Sequence, residues 1–273
     1  GGTFVVGLGW FWVTTFGDPE AEYRAVRSDV GLWDASPHQK WEFRGRDALK
    51  ALDRIFTRDL SQTEIGQVRY GPFCDEAGKM LGDGTVFRFA DDHCWLVAAP
   101  STDSDLEHFE RAIEGLDVRI EKRTEELPQL GLNGPRSREL LRTLCDHDVD
   151  PLRYYRFWPE QVHVGDVACW VSRTGYSGEL GYELFCSPED AVPLWELLCE
   201  GGARPYGLEA IEWLRIESGL IAMGADFVPG ETSPFDMSLD RCVYLRMARF
   251  SGRYSLALEA RAPANRLVTL VVN

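Results

Sequence analysis

Two carboxylates stand where a ligand could approach them closely. Asp83 lies between two glycines at the entry to a run that alternates like a β-strand, Leu81 to Phe89. Glu183 lies inside the apolar run Tyr182 to Phe185, where a carboxylate is either exposed at a sheet edge or buried with a donor partner. Either acid could accept hydrogen bonds from N–H groups or handle a proton. For Asp83 the alternative is a turn residue that only supports a hairpin.

The segment that leads into Glu183 is dense in glycine and tyrosine. Residues 172–184 contain three glycines, two tyrosines and two glutamates, and Tyr176 lies near the middle. The segment is not a nucleophile elbow, because Glu179 stands where the G-x-S-x-G pattern requires a glycine. No Ser/His/Asp or Cys/His arrangement emerges elsewhere in the chain.

One arginine lies in apolar surroundings. Arg215 falls within a predicted helix, Leu208 to Leu220, between Leu214 and Ile216. Such an arginine is commonly a snorkelling or salt-bridged residue. The alternative is that its guanidinium holds a carboxylate ligand, or fixes Glu183.

Charge and cysteine usage exclude several classes of protein. The 273-residue chain has 29 basic and 44 acidic residues, a net charge of −15, so nucleic acid and anionic membranes are disfavoured as partners. Seven cysteines without a C-x-x-C pair predict reduced thiols in a cytoplasmic protein. Five scattered histidines predict no metal site. No apolar run is long enough to predict a membrane helix.

The elements that must position these residues alternate irregularly. Further strands are predicted at Trp41 to Arg44, Gln67 to Tyr70, Cys94 to Ala98, Leu130 to Leu132 and Val162 to Ser172, several in hairpins. Further helices are predicted after Asp18, over Arg46 to Phe56, over Ser104 to Ile113, from Gly134 to Leu144 and after Ser187. This order favours an α+β fold over a doubly wound parallel sheet.

Several motifs in order along the chain resemble those of the aminomethyltransferase family, which comprises the glycine cleavage T-protein and its tetrahydrofolate-dependent relatives. They are RTGYSGE at 173–179, GYEL at 181–184, VGLWDAS at 30–36, LNGPRSR at 132–138, GLEA at 207–210, LRIESGL at 214–220, TSPFD at 232–236 and FSGR at 250–253. The resemblance extends from about residue 22 to 270. Each motif alone is weak, but their shared order is specific.

The resemblance implies a multi-lobed folate-binding fold of the T-protein type around a central channel. Its lobes would comprise residues 1–50 with 125–165, residues 51–124 with 166–240, and residues 241–273 as the start of a C-terminal barrel that is incomplete in this chain.

The resemblance also implies roles for individual residues. Asp83 matches the acid near the folate nitrogens, and Tyr70 matches a tyrosine of the pterin channel. Tyr176 matches a tyrosine beside the cofactor, and Glu183 the glutamate on the aminopyrimidine edge of the pterin. Arg215 matches an arginine of the same pocket.

The implied function is transfer of a methyl, methylene or aminomethyl group from a small donor to tetrahydrofolate. A true T-protein would also use a lipoyl carrier protein. Where T-proteins carry LDDL, this chain has Leu81-Gly82-Asp83-Gly84, which slightly favours a demethylase-like reaction over aminomethyl transfer in glycine cleavage. The alternatives are a non-catalytic folate-binding protein and the folate-binding subunit of a methylamine dehydrogenase.

Overall fold

The computed structural model of the chain describes residues 2–100, 104–246, 250–260 and 265–268. Thirteen strands are formed within these residues: β1 (Thr3–Gly7), β2 (Trp10–Thr15), β3 (Gly31–Asp34), β4 (Gln39–Arg44), β5 (Val68–Cys74), β6 (Met80–Ala90), β7 (His93–Ala98), β8 (Arg119–Lys122), β9 (Gln129–Asn133), β10 (Val162–Val164), β11 (Val167–Ser172), β12 (Gly181–Phe185) and β13 (Arg204–Pro205). Seven α-helices accompany them: α1 (Pro19–Ser28), α2 (Ala48–Ile55), α3 (Ser104–Ala112), α4 (Ser137–Leu144), α5 (Ala191–Glu200), α6 (Leu208–Glu217) and α7 (Arg253–Glu259). The predicted α+β class is confirmed.

The chain divides into two compact units. The first unit comprises Gly1–His38 and Arg123–Leu220, and the second comprises Gln39–Lys122 and Ile221–Asn273. The predicted lobes instead group residues 51–124 with 166–240. The units follow strand pairing, because no sheet is divided between them: the first unit contains the β1-β2 pair and a six-stranded sheet, and the second contains a five-stranded sheet. The lobe boundaries implied by the family resemblance stay a prediction.

The first unit is built on a six-stranded sheet with the order β10-β11-β12-β9-β3-β13. Its pairs are antiparallel except β13 with β3, which is parallel. One face carries the larger apolar core, which includes Leu132, Leu184 and Leu194 of α5. On the other face Val26 of α1 and Ala210 of α6 form a smaller cluster with residues of the sheet. Helix α1 begins as predicted, since the Asp18 carboxylate accepts a hydrogen bond from the Ala21 N–H at 3.0 Å.

The second unit is built on a five-stranded antiparallel sheet with the order β5-β6-β7-β4-β8. Helices α2 and α3 cover one face, where Phe73 and Phe109 lie in a shared core. The turn between β5 and β6 lies at residues 75–79, where the Asp75 N–H bonds to the Lys79 carbonyl at 2.9 Å. Asp83 therefore lies within an eleven-residue strand and not in the hairpin turn, so the turn interpretation is wrong.

The two glycines beside Asp83 have a packing reason. A Cβ atom on Gly82 would lie 2.6 Å from Cζ of Phe73, and one on Gly84 would lie 2.5 Å from the Val97 carbonyl oxygen. Because side chains alternate along a strand, both glycines face the core side and Asp83 faces the other side. Because these glycines have no side chains, the core can pack closely against this face of the sheet. They do not open space around Asp83, which faces the other side.

The predicted C-terminal region is described only in part. Residues 247–249, 261–264 and 269–273, which belong to the predicted barrel start at 241–273, lie outside the described residues. Within the described portion, α7 packs Leu256 against Met80 and Phe250 in a separate small core.

Candidate functional site

In the second unit, Tyr70 and Asp83 are brought together by strand register. Asp83 pairs with Pro72 and Tyr70 pairs with Thr85 across β5 and β6, so both side chains lie on the same face in diagonal positions. The Tyr70 hydroxyl donates to Oδ2 of Asp83 at 2.8 Å. The guanidinium of Arg58 bonds the Tyr70 carbonyl at 3.0 Å, which fixes the strand next to this pair.

The carboxyl of Asp83 has a pKa above its usual value. Burial raises the pKa of its carboxyl to about 6, although the hydrogen bond from Tyr70 opposes the shift. The side chain keeps part of its surface exposed. A carboxyl that titrates near neutral pH and remains accessible is suited to exchange protons with a ligand.

In the first unit, Glu183 lies in the middle of the sheet. Its strand β12 is flanked by β11 and β9, so the sheet-edge alternative is excluded. The side chain is half-buried and accepts a hydrogen bond from Nε2 of Gln129 at 2.7 Å. A second donor is the Thr174 hydroxyl, which also bonds the hydroxyl of Ser172. Of the two alternatives for Glu183, the structure therefore supports the carboxylate that is held by donor partners.

Gln129 is a residue that the sequence interpretation missed. It is fully buried, and its Oε1 atom has no hydrogen-bond partner among the described residues. The sequence does contain a signal that could have identified Gln129. Strand β9 has the sequence QLGLN, in which Gln129, Gly131 and Asn133 alternate with two leucines. The polar face of this strand is the face that carries Glu183, since Gly131 pairs directly with Glu183.

A buried amide organises the glycines around Glu183. Asn133 is 1% exposed, donates to the Tyr206 hydroxyl at 3.0 Å and accepts from the Ser177 hydroxyl at 3.1 Å. Cβ atoms on Gly175 and Gly181 would lie 2.6 and 2.5 Å from its Oδ1 atom. The glycines of the 172–184 segment therefore allow backbone to close around Asn133.

The loop between β11 and β12 carries Tyr176. This tyrosine is half-buried and packs against the cluster that contains Trp33 and Tyr206. Burial and the negative charge of Glu183 both raise the pKa of Tyr206, which keeps this phenol neutral. Glu183 and the aromatic rings around Tyr176 thus belong to one face of the first unit.

Arg27 of α1 fastens that loop. One of its guanidinium nitrogens bonds Glu179 at 2.9 Å and the Ser177 carbonyl at 3.2 Å. The other bonds Glu217 at 2.6 Å and the Leu214 carbonyl at 3.3 Å, both in α6. Nothing in the sequence motifs pointed to this arginine, because its partners lie in two segments distant from it along the chain.

Arg215 is 3% exposed on α6. Two of its guanidinium nitrogens bond the carboxylate of Glu212, at 3.1 and 2.7 Å, and a third bonds the Leu220 carbonyl at 3.3 Å. This is the salt-bridged arrangement. The role of Arg215 in a ligand pocket stays a prediction.

Two further findings concern the described residues alone. No group of three or more His, Cys, Asp or Glu side chains among them is placed to hold a metal ion. In the same part of the chain, no helix combines the length and apolarity needed to cross a membrane.

The chain is similar to several known proteins. The model of the GCVT N-terminal domain matches residues 1–247. An aminomethyltransferase from Rubrobacter xylanophilus is 37% identical over 249 residues, which cover 91% of this chain and 66% of that protein. A trimethylamine-oxide aldolase from Ruegeria pomeroyi is 35% identical over 269 residues, covering 93% of this chain and 34% of that protein.

A solved structure carries the same fold. The glycine cleavage system aminomethyltransferase T from Bartonella henselae superimposes with a TM-score of 0.87 at 25% identity, over 96% of this chain and 72% of that one. The predicted T-protein type of fold is therefore confirmed.

Fold and matched sequence together define a protein of the T-protein class. The chain belongs to the aminomethyltransferase family, and its matched region is the GCVT N-terminal domain. The family resemblance read from the sequence motifs is confirmed. The chain spans 66% of the length of the Rubrobacter xylanophilus relative.

Proposed function

We propose that this protein is an enzyme that moves a methyl, methylene or aminomethyl group from a small donor to tetrahydrofolate. Family membership supports the reaction class. The observation that carries the proposal is the carboxylate of Glu183, held by Gln129 and Thr174 on a polar sheet face beside aromatic rings. We assign the pterin grip to Glu183 and Tyr176, and the proton chemistry to Asp83 with Tyr70. Arg215 is assigned, with Glu183, to folate binding on the family resemblance alone.

The residues around Glu183 fit the edge of a reduced pterin. Such an edge presents adjacent N–H donors and a ring acceptor, so it needs acceptors from the protein. Glu183 is half-buried and supplies carboxylate oxygens for these donors. Tyr176, which is half-buried, supplies a ring surface against which a flat heterocycle packs favourably.

When bound, reduced folate supplies the nitrogen nucleophile that accepts the one-carbon unit. The protein's own contribution is orientation and proton handling. Asp83 in its ionised form accepts the proton that this nitrogen must lose, and Tyr70 stabilises the carboxylate by donating to Oδ2. Because the pKa of Asp83 is about 6, the carboxyl is mostly ionised at neutral pH and can still be protonated during turnover.

The choice among possible one-carbon donors depends on similarity to known proteins more than on the geometry of the site. The chain is about as similar to the trimethylamine-oxide aldolase as to the aminomethyltransferases. We favour a demethylase-like reaction over aminomethyl transfer from a lipoyl carrier protein. The glycines at 82 and 84 do not bear on this choice, since they serve packing beneath the sheet.

The reaction type is tested by product analysis with tetrahydrofolate and a panel of donors. 5-Methyl-tetrahydrofolate from a methylated amine would support the demethylase-like reaction. 5,10-Methylene-tetrahydrofolate formed only with a lipoyl carrier protein would instead support glycine cleavage. Folate binding without turnover of any donor would favour a binding protein.

The residue assignments are tested by two matched variants. Glu183→Gln should weaken tetrahydrofolate binding by about 1–3 kcal/mol, the scale of a charge-assisted hydrogen bond, as measured by calorimetry. Asp83→Asn should lower turnover by roughly 10²–10⁴ while folate affinity changes much less. Wild-type affinity in the first variant or wild-type turnover in the second would refute the respective role.

A further inference from the structure

The first unit contains a cavity of about 310 Å³ whose walls are mostly aromatic. This volume lies at the small end of the range of ligand pockets, roughly 300–1,000 Å³, so it suits a small molecule. Strands β1 and β2 pair as an N-terminal hairpin. The rings of the cavity come from this hairpin and the residue that follows it, from β3, from α5 and from the segment after β13: Phe11, Trp12, Phe16, Trp33, Trp195 and Tyr206.

The rings are held in place by contacts with one another. Phe16 stacks on Trp195 with ring centroids 6.1 Å apart, and Trp33 stacks on Tyr206 at 6.4 Å. The Trp12 indole N–H donates to the Gly7 carbonyl at 3.1 Å, which fixes this ring within the hairpin. Trp33 and Tyr206 are buried, while the hairpin rings are partly or largely exposed, so the cavity opens to solvent on the hairpin side.

One charged side chain lines this cavity, and it is an acid. Asp34, the last residue of β3, is exposed, and its Oδ1 atom accepts a hydrogen bond from the Ser36 N–H at 2.9 Å. Among the described residues no lysine, arginine or histidine forms an ion pair with Asp34. The first turn of α5 also borders the cavity, and its dipole alone would favour an anion. Glu189 and Asp190 directly precede that turn, and their negative charges oppose an anion there.

We propose that this cavity binds a small methylated ammonium cation. A cation over the face of tryptophan or tyrosine is attracted by the negative face of the ring, and methyl groups make the cation apolar enough to leave water. Several rings with one carboxylate that lacks a cationic partner provide both requirements. A neutral apolar ligand would use the rings and gain nothing from Asp34. The inference does not depend on the proposed reaction, because binding is measurable without folate.

The test uses choline and its neutral carbon analogue, 3,3-dimethylbutan-1-ol, which have nearly the same shape and differ in charge. Calorimetry on the intact chain without folate should show saturable binding of choline. Choline should bind at least about tenfold more tightly than the alcohol, because the free energy of a cation–π contact with a partly desolvated ring corresponds to about that ratio of affinities. Equal affinity for the two compounds would show an apolar cavity without cation selectivity and would overturn the proposal. Absence of saturable choline binding would overturn it as well.

Two variants locate the site. Trp195→Ala should weaken choline binding by roughly 5–30-fold, and Trp195→Phe should restore part of that loss because a ring returns. Asp34→Asn should weaken choline binding by about 3–10-fold and leave the alcohol unchanged; because Asp34 is exposed, this variant keeps the test valid even if Trp195→Ala does not fold.

The matched control is Trp213→Ala, which removes an indole that is 44% exposed on α6 and not part of the cavity wall. It should leave choline binding as in the wild type. If Trp213→Ala weakens binding as much as Trp195→Ala does, the cation lies elsewhere and the proposal is wrong. Choline binding that is unchanged in Glu183→Gln, a variant expected to bind folate more weakly, would separate this inference from the proposed function.

Discussion

Removing the Tyr70 hydroxyl should change how the stability of the protein depends on pH. The usual pKa of an aspartate is 3.8, and that of Asp83 is raised to about 6. Between these values the folded state holds a proton that the unfolded chain has already lost. The free energy of unfolding therefore falls as pH rises from about 4 to about 6, by at most about 3 kcal/mol at 1.36 kcal/mol per pH unit. Partial exposure of Asp83 makes the measured fall smaller.

The hydrogen bond from Tyr70 to Asp83 stabilises the ionised carboxylate. Hydrogen bonds to charged groups contribute about 1.5–3 kcal/mol, so Tyr70→Phe should raise the pKa of Asp83 by a further one to two units. The extra destabilisation develops as pH rises above 6. We therefore expect Tyr70→Phe to lose about 1.5–3 kcal/mol more stability at pH 8.5 than at pH 5.

The measurement is urea denaturation at both pH values, for the wild type, Tyr70→Phe, Asp83→Asn and the double variant. Asn cannot ionise, so in the Asp83→Asn background the loss caused by Tyr70→Phe should be the same at both pH values. If Tyr70→Phe costs equal free energy at pH 5 and pH 8.5 in the wild-type background, the coupling between these side chains is refuted. In the same variant, the acid limb of the pH profile of turnover should shift to higher pH.

Three further predictions concern the loop at 173–180 and the absence of a metal requirement. Arg27→Met should cost about 1–3 kcal/mol of stability and weaken folate binding, because the loop loses its bonds to α1; Arg24→Met, whose partner pair is mostly exposed, should cost under about 0.5 kcal/mol. An unaltered denaturation midpoint for Arg27→Met would contradict the fastening role. Gly178→Ala should cost about 2–4 kcal/mol, because its φ is +77° and a Cβ would lie 1.8 Å from Oγ of Ser218. The control Gly219→Ala shares a positive φ of +70° in open space and should cost only about 1 kcal/mol, so equal losses would exclude the close approach as the cause. Dialysis against a chelator should leave turnover intact, and recovery of lost activity on adding zinc or iron would contradict this expectation.

Local patterns predicted the elements well where they were strongly periodic or clearly capped. Asp18 followed by Pro19 marked the start of α1, and the Asp18 carboxylate caps that helix by accepting a hydrogen bond from the Ala21 N–H. The alternation in β9 could have shown that Gln129 shares a face with Gly131 and Asn133. Pairing of β9 with β12 then decides that this face meets Glu183, and pairing depends on residues fifty positions apart.

Asp83 shows why the sequence alone was insufficient at a site. A Gly-Asp-Gly run is typical of a turn, but glycine is required here because Phe73 and the Val97 carbonyl on the neighbouring strands leave no room for a side chain. Steric demands of that kind arise only when strands pack. The pKa of the acid likewise depends on burial and on Tyr70, which lies thirteen residues away along the chain.

The sequence by itself determined the family, the α+β class and the residue types available for folate, because these follow from motif order, local periodicity and composition. The tertiary structure decided which side chains meet: Tyr70 with Asp83, Gln129 and Thr174 with Glu183, and Arg215 with Glu212. The physical reason is that hydrogen bonding and burial act over a few ångströms, and only the pairing of strands and packing of helices brings distant residues within that range.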